Sequence, residues 1–308
     1  MDRFDVMRVF VRVAETGSFT KAADDLRLPR ATVSMAVQQF EATIGTRLLH
    51  RTTRRVQLTQ DGNALLERCR ALLADMEEVE GLFRQSPTQV AGKLKVDVPS
   101  RLGRMLIAPA LPDFFRRYPN IELELGVTDR AIDLVREGVD CAIRAGNLQD
   151  SSLVARRLTE FEVVNCGSRA YIDAHGRPEC IADLATHRAV NYASPTTGRL
   201  SPWEYVENGV QKSLTMRSHV TVNNAEMYLA CCQSGLGLIQ VPACDVIGYF
   251  QSGELIEVMP ELRPAPMPVY ALYPHRRHLS RRVQAFIDWL GTRLQELVQN
   301  SQNARQLP

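Results

Sequence analysis

Residues 18–62 have the sequence SFTKAADDLRLPRATVSMAVQQFEATIGTRLLHRTTRRVQLTQDG, in which two short helical patterns are joined by a tight connection. Ser18 is placed to cap the first helix, and the second begins near Pro29, which is tolerated in a first helical turn. The inward face of the second helix is predicted to be Val33, Val37, Phe40 and Ile44. A connection this short predicts two helices that cross near a right angle.

The outer side and the N-terminal end of the second helix carry small or hydrogen-bonding side chains. They are Arg30, Ala31, Thr32, Ser34, Met35 and Gln38. A helix that enters the major groove of DNA needs slim side chains where its backbone approaches, and polar groups that match base edges and phosphates. The pattern indicates binding to double-stranded DNA, with Gln38 suited to adenine and Arg30 to guanine or a phosphate. Ser18 at the start of the first helix is a further predicted DNA contact.

Two short apolar segments, 48–49 and 56–58, predict a β-hairpin around a run of arginines and threonines. These predicted DNA contacts are Arg51, Thr52, Thr53, Arg54 and Arg55. From residue 27 to residue 55, six arginines stand against one glutamate, an excess of +5 in a chain whose net charge is +2. Such a local excess is an electrostatic footprint for phosphate. The order of these elements, helix, turn, helix and basic hairpin, predicts a winged helix-turn-helix over residues 1–62. The alternative is an ordinary three-helix bundle with arginines on its surface.

Residues 63–86 are predicted to form a single long helix with an apolar seam. Apolar side chains recur at alternating steps of four and three, at Leu65, Cys69, Leu72, Met76, Val79 and Phe83. Such a heptad pattern is typical of a helix that pairs with another helix. We therefore predict dimerisation through this seam, with a rigid spacer as the alternative. Two DNA-binding domains held at a fixed separation predict an inverted or partly symmetric target site.

Residues 87–92 are predicted to form a hinge, after which the pattern changes to alternating strands and helices. Strands are predicted at 94–98, 121–127, 139–143, 190–192, 236–241 and 267–274, and helices at 101–119, 131–138, 169–176, 223–234 and 280–298. Repeated strand–helix–strand units predict an α/β domain over residues 93–298, with a largely parallel sheet covered on both faces. The polar tail, 299–308, is predicted to be disordered.

Motifs along nearly the whole chain resemble those of the LysR-type transcriptional regulators. They are FTKAADDLRLPRATVSMAVQQFE from residue 19, LTQDG from 58, APALPDFFRRYPNIELEL from 108, GVDCAIRAGNLQDSSLVARRL from 138, SGLGLIQVPA from 234 and VYALYPHRRHLSRRVQAFIDWL from 269. Met35 stands where a basic residue is common in that family, and Phe40 where leucine is usual. The resemblance implies a C-terminal domain with the fold of type 2 periplasmic binding proteins, built as two lobes. Lobe I would comprise 93–167 and 266–298, and lobe II 168–265.

The resemblance also implies partners and a mode of regulation. Linker helices would pair antiparallel, and two dimers would form a tetramer. Double-stranded DNA and further copies of the chain are the expected partners, and RNA polymerase is a further candidate. A small organic effector between the lobes would shift their closure and so alter the spacing of the DNA-binding domains.

Candidate effector contacts follow from where ligands bind in open α/β sheets, beyond the C-terminal ends of the strands. Those positions hold Ser100, Arg101, Thr128, Arg144, Gly146, Ser194, Pro202, Trp203 and Asn223. Ser100 and Thr128 would hold a carboxylate at helix ends, with Arg101 or Arg144 adding positive charge. Helix capping, structural ion pairing and core packing are alternative roles for the same side chains.

Other classes of protein find less support in the sequence. The chain has no GxGxxG, P-loop, GxSxG or HExxH motif, and its six histidines have no metal-ligand spacing, so neither an enzyme nor a metal or cofactor site is expected. The seven scattered cysteines are interpreted as buried apolar residues. Without a signal-like apolar segment or a membrane-length run, the protein is expected in the cytoplasm. A ligand-independent architectural DNA-binding protein and a solute-binding module stay as alternatives.

Overall fold

The computed structural model describes residues 1–51, 56–81, 90–146, 148, 153–274 and 279–306. Within these ranges, the side chains of residues 51, 67, 71, 74, 75, 77–81 and 304–306 are not described. The chain divides into two compact parts, an N-terminal unit, Met1–Gln85, and a C-terminal unit, Ser86–Pro308.

The N-terminal unit contains three helices, a short β-hairpin and a long fourth helix. In chain order these are α1 (Arg3–Thr16), α2 (Phe19–Leu26), α3 (Arg30–Ile44), β1 (Leu49–Arg51), β2 (Val56–Leu58) and α4 (Gln60–Gly81). The two strands pair antiparallel, with Leu49 opposite Leu58. The predicted order of helix, turn, helix and hairpin is confirmed.

Local capping sets the turn between α2 and α3. The Ser18 hydroxyl accepts a hydrogen bond from the backbone N–H of Lys21, so Ser18 caps α2 as predicted. Arg27 ends that helix in the left-handed conformation, with a φ of 53°, and Leu28 packs against the core. Pro29 then precedes α3, where its missing N–H leaves no helical hydrogen bond unmade.

The core of the N-terminal unit confirms most of the predicted inward face of α3. Val33, Val37 and Phe40 are buried, and the Phe40 ring packs 5.6 Å from that of Phe10 in α1. Ile44 is 45% exposed, so its predicted place in the core is wrong. It is the last residue of α3, at the point where Gly45 ends the helix and the chain turns away.

The start of α4 is fixed by a side-chain cap and a close backbone approach. The Gly62 N–H donates to Thr59 Oγ1 at 2.9 Å, and the helix begins at Gln60, before the predicted start at residue 63. A Cβ at Gly62 would lie 2.0 Å from the carbonyl oxygen of Leu48, so only glycine permits this contact. The predicted end, at 86, lies outside the described residues.

α4 uses part of its apolar seam inside its own unit. Cys69 and Leu66 are buried in the core that α1 also lines, and Leu65 packs against that core. The prediction that Cys69 faces a partner helix is therefore wrong. Leu72 is 47% exposed and Met76 is half-buried, so both stay available to a partner. The Val79 side chain and Phe83 lie outside the described part.

The first lobe of the C-terminal unit is a five-stranded sheet with helices packed on it. Its elements are β3 (Ala91–Val98), α5 (Ser100–Leu102), a π-helical turn (Gly103–Ile107), α6 (Ala108–Arg117), β4 (Asn120–Val127), β5 (Cys141–Ala145), β6 (Leu153–Phe161), β14 (Met267–Pro274) and α10 (Arg281–Gln306). The core joins the sheet to α6 and α10, where the Phe114 ring lies 5.7 Å from Phe286 and 4.9 Å from Trp289.

The strand directions in this lobe agree with the predicted largely parallel sheet except for one reversed strand. The order is β4-β3-β5-β14-β6, in which β3 runs parallel to β4 and β5. β14 runs antiparallel to both β5 and β6, so the sheet is mixed. The reason is connectivity, because β14 enters this sheet only after the chain has passed through the second lobe.

The second lobe is assembled from short strands and short helices. Its elements are β7 (Val163–Ser168), α7 (Arg169–His175), a 3-10 helix (Ile181–Ala185), β8 (Asn191–Tyr192), β9 (Trp203–Glu207), β10 (Val210–Leu214), β11 (Thr221–Val222), α8 (Ala225–Gln233), β12 (Ile239–Pro242), α9 (Ala243–Ser252), β13 (Leu255–Glu257) and a 3-10 helix (Pro260–Leu262). β7 is the central strand of an antiparallel sheet in the order β12-β7-β13. The boundary between the lobes thus lies between β6 and β7, before the predicted position at 168.

Two further expectations are wrong. Residues 131–138 form turns rather than a helix: the Asp133 carboxylate accepts from the N–H groups of Val135 and Arg136, as a helix cap does, but Gly138, at a φ of 63°, ends the turn before a helix is established. The tail is helical through Gln306 rather than disordered. Extending the packed helix α10 needs no new helical nucleus, so polar residues continue it at little cost.

Candidate functional site

The outward side of α3 presents the side chains predicted to contact DNA. Arg30, Ala31, Met35 and Gln38 are exposed, and Met35 is 67% exposed. Thr32 and Ser34 are half-buried on the same helix. Since Val33, Ala36 and Val37 fill the core behind them, the polar side of α3 is held outward by packing on the opposite side.

The one acidic residue of the basic stretch has a structural role that the sequence did not reveal. Glu41 Oε1 accepts hydrogen bonds from the backbone N–H groups of Leu48 and Leu49, at 2.9 and 3.1 Å. This carboxylate joins α3 to the first strand of the hairpin. The hairpin pairs Arg51 with Val56, whereas Thr52, Thr53, Arg54 and Arg55 lie outside the described residues.

A cavity of about 710 Å³ lies between the two lobes of the C-terminal unit. Six of the predicted effector contacts line it: Arg101, Thr128, Arg144, Gly146, Pro202 and Trp203. Ser100, Ser194 and Asn223 are not among its lining residues. Much of the wall is apolar, including Met105, Leu106, Phe161 and Leu229.

Ser100 binds a carboxylate of the protein itself. Its N–H donates to Asp129 Oδ1 at 2.9 Å and its hydroxyl donates to Asp129 Oδ2 at 2.7 Å. The side-chain amide of Asn224, in lobe II, donates to the same Oδ2 at 2.7 Å. Asp129 thus occupies the donors that were assigned to a ligand carboxylate, and a ligand contact of Ser100 stays a prediction.

The cap of α8 is displaced by one residue from the prediction. Asn224 Oδ1 accepts from the N–H groups of Glu226 and Met227, whereas Asn223 is exposed. Because the amide nitrogen of Asn224 also donates to Asp129, one asparagine caps a helix of lobe II and binds lobe I. The sequence offered two adjacent asparagines and no means of choosing between them. Ser194 also has a role within its own turn, since its hydroxyl accepts a hydrogen bond from the Thr197 N–H.

Arg101 is a buried cation that crosses between the lobes. It is 4% exposed, and its guanidinium pairs with Glu226 at 3.2 Å and with the Asp245 carboxylate at 3.1 Å. It also donates to the Asp245 carbonyl oxygen at 2.5 Å. Burial raises the pKa of the Asp245 carboxyl to about 6, and the adjacent Arg101 acts in the opposite direction. The exposed Arg104 binds the same Glu226 from the surface at 2.8 Å.

Arg144 forms a structural ion pair, the role that was the alternative to binding a ligand. Its Nη2 donates to Asp97 Oδ1 at 2.6 Å and to the carbonyl oxygen of Arg130 at 3.1 Å. Burial raises the pKa of Asp97, and the hydrogen bond from Arg144 lowers it. Thr128 accepts from the Arg130 N–H, so it stabilises the turn after β4. Arg101 and Arg144, the arginines that line the cavity in the described part of the chain, are thus both paired within the protein.

Several cavity groups without a protein partner were missed at the sequence level. Glu204 lines the cavity, and its carboxylate has no hydrogen-bond or ion-pair partner among the described residues. The indole N–H of Trp203 is buried and also has no acceptor in that part of the chain. Burial raises the pKa of the Tyr192 hydroxyl to about 12, with the charge of Asp129 adding to the effect. The sequence signal that could have identified Glu204 is a carboxylate within a short apolar strand.

The described residues offer neither a metal-binding cluster nor a membrane-spanning helix. Their histidine, cysteine and acidic side chains form no group of three or more arranged to hold a metal ion. None of their helices is long and apolar enough to cross a membrane.

Comparison with known proteins matches both units. Residues 4–63 match the family model of bacterial regulatory helix-turn-helix proteins of the lysR family, and residues 87–295 match the LysR substrate binding domain. The chain is 40% identical to the uncharacterized HTH-type transcriptional regulator YhjC of Escherichia coli over 96% of its length and 99% of that protein. It is 36% identical to the HTH-type transcriptional repressor PA14_22550 of Pseudomonas aeruginosa, over 94% and 92% of the two chains.

A solved structure extends the likeness to three dimensions. CrgA, a LysR-type transcriptional regulator from Neisseria meningitidis, is 30% identical, with a TM-score of 0.58 over 95% of this chain and 98% of its own. The likeness includes the winged helix-turn-helix and the two-lobed C-terminal domain. The chain therefore belongs to the LysR family of bacterial transcriptional regulators, which bind DNA and carry an effector-binding domain.

Proposed function

We propose that the exposed side of α3 supplies the base contacts of this regulator and that the hairpin supplies phosphate contacts. The observation that carries this proposal is the exposed, polar outer side of α3, held outward by a fully packed inner side. A helix of this kind fits the major groove, and the arginines of residues 51–55 add positive charge beside it. Ser18 and Arg30, at the starts of two successive helices, suit the phosphates that flank the groove.

Replacing Gln38 by alanine is expected to reduce sequence discrimination more than overall attraction to DNA. A lost bidentate contact to one base costs about 1–3 kcal/mol, or roughly 5- to 150-fold, against the preferred site. Fluorescence anisotropy with the preferred and a scrambled duplex measures both affinities. Gln39→Ala is a matched control, since Gln39 is also exposed, one position along the same helix. Equal losses for the two variants would show that α3 is not oriented as proposed.

The cavity between the lobes is the proposed effector site. Its volume suits a small organic molecule, and the lobes that enclose it are joined by polar contacts that a ligand can rearrange. A molecule that binds the closed arrangement of the lobes more tightly than the open one, or the reverse, shifts the population toward the arrangement it prefers. The size of the shift is set by the difference between its two affinities. Through the linker, that shift would change the spacing of paired DNA-binding domains.

The proposed assembly is at least a dimer formed through α4. Leu72 is an exposed apolar side chain on a helix whose neighbouring positions are already packed. Met76, half-buried one helical turn later, extends the same side. Pairing would cover both, and it would present two copies of α3 to successive turns of DNA. A tetramer made of two such dimers remains the proposed full assembly.

A further inference from the structure

The interlobe cavity has an unusual balance of charge. Two cations line it among the described residues, Arg101 and Arg144. Each is bound to the protein's own carboxylates, Arg144 to Asp97 at 2.6 Å and Arg101 to Asp245 and Glu226. Each guanidinium is thus already neutralised by carboxylates of the protein, so an anionic ligand gains little net attraction from either.

Two other lining carboxylates have no cationic partner in the described part of the chain. Asp129 is held by neutral donors only, the N–H and hydroxyl of Ser100 and the amide of Asn224. Glu204 has no side-chain partner among those residues, and only its backbone is engaged, with Gln240. The cavity therefore presents negative charge that its own cations do not balance.

The start of α5 shows why a ligand carboxylate is disfavoured. The N–H and hydroxyl of Ser100 are the groups that would bind such a carboxylate, and Asp129 already occupies both. A second anion there would have to displace Asp129 and would lie beside its charge. Electrostatic repulsion in a partly buried site is much stronger than in water.

Aromatic side chains of lobe II supply a second attraction for positive charge. Tyr192 and Tyr228 line the cavity and pack edge to face, with ring centroids 5.3 Å apart. Trp203 lines the same space. Aromatic faces attract organic cations, and the remaining apolar wall suits a hydrocarbon body.

We infer that this cavity binds an organic amine, a cationic head on a mainly apolar body, in preference to a carboxylate of the same size. The inference rests on the proposed role of the cavity as the effector site. Glu204 and Asp129 face the cationic head, and the aromatic and aliphatic walls cover the body.

The test is a panel of primary amines, alcohols and carboxylates built on the same phenylalkyl skeletons, from phenylmethyl to phenylbutyl. Each compound is added to the full chain at pH 7, and binding is measured by thermal shift and by titration calorimetry. We expect the amines to bind at least about tenfold more tightly than the matched carboxylates. Glu204→Gln should reduce that preference several-fold.

Glu207→Gln is the matched control. Glu207 lies in the same strand, β9, is paired with Lys212 at 2.5 Å and is not a lining residue, so its neutralisation should leave the preference unchanged. If carboxylates bind as tightly as amines, or if Glu204→Gln leaves the preference intact, the inference is overturned while effector binding stands. If no compound of any class binds, the inference and the proposed effector site both fail.

Discussion

Leu72→Glu is expected to convert the assembled protein into monomers and to weaken binding to its DNA site by about a hundredfold or more. Leu72 is an exposed member of the α4 seam, 47% accessible, whereas Cys69 and Leu66 before it are packed in the core of the same unit. A glutamate at the centre of a helix–helix contact would be buried without a partner, which is strongly unfavourable. Losing the second DNA-binding domain removes the gain of about 10²–10⁴ that linkage provides.

Sedimentation velocity and anisotropy with a full-length DNA site measure these two effects. Val135→Glu is a suitable control, because Val135 is 74% exposed on a turn of the C-terminal unit. That variant should keep the wild-type mass and affinity. A Leu72→Glu protein with the mass of the wild-type assembly would show that α4 does not form the dimer contact.

Arg101→Met is expected to destabilise the C-terminal unit by about 3–5 kcal/mol, the cost of leaving buried charges without their partner. The substitution keeps an unbranched side chain but leaves Asp245 and Glu226 facing each other without a buried cation. The pKa of Asp245 is already raised to about 6 by burial, so its charged form depends on Arg101. For a unit of this size, the melting temperature should fall by roughly 6–20 °C.

Thermal unfolding followed by tryptophan fluorescence isolates this effect. Both tryptophans, Trp203 and Trp289, lie in the C-terminal unit, so the signal reports on that unit alone. Arg104→Met is the matched control, because Arg104 pairs with the same Glu226 but is largely exposed. Its loss should lower the melting temperature far less, because the ion pair of an exposed arginine is screened by solvent. Equal effects of the two substitutions would contradict a buried link between the lobes at Arg101.

The helix-turn-helix could be predicted closely because its signals are local. A cap at Ser18, a proline before α3 and apolar residues at helical spacing each act within a few residues of the chain. Ile44 fitted the same spacing, and only the packed structure shows that the core ends before it. Cys69 fitted the dimer seam in the same way, and its burial depends on the position of α1.

The second lobe was harder to predict because polar residues interrupt its strands. β7 was missed although all of it is buried, since Asn165 lies at its centre. The side chain of Asn165 donates to the carbonyl oxygens of Met259 and Leu262, almost a hundred residues away in sequence. The polar side chain of Asn165 can be buried only because those acceptors are present, and no local sequence pattern reveals them.

The position of the cavity could be predicted from the ends of the strands, but the roles of the residues that line it could not. Arg101, Thr128 and Arg144 do line it, and each is already bound to the protein. Whether a serine caps a helix, binds a ligand or binds Asp129 depends on what the fold brings near it. Several of those partners are distant in sequence: Asp129 lies 29 residues from Ser100, and Asp245 lies 144 residues from Arg101.

Selection of double-stranded DNA from a random pool by the purified full-length chain tests the central claim most directly. A paired regulator that inserts α3 into the major groove should enrich an inverted or partly symmetric site. The half-sites should be separated by about 10–10.5 base pairs or a multiple of that spacing. Failure to enrich any sequence, or enrichment of a single half-site alone, would contradict sequence-specific binding by a dimer.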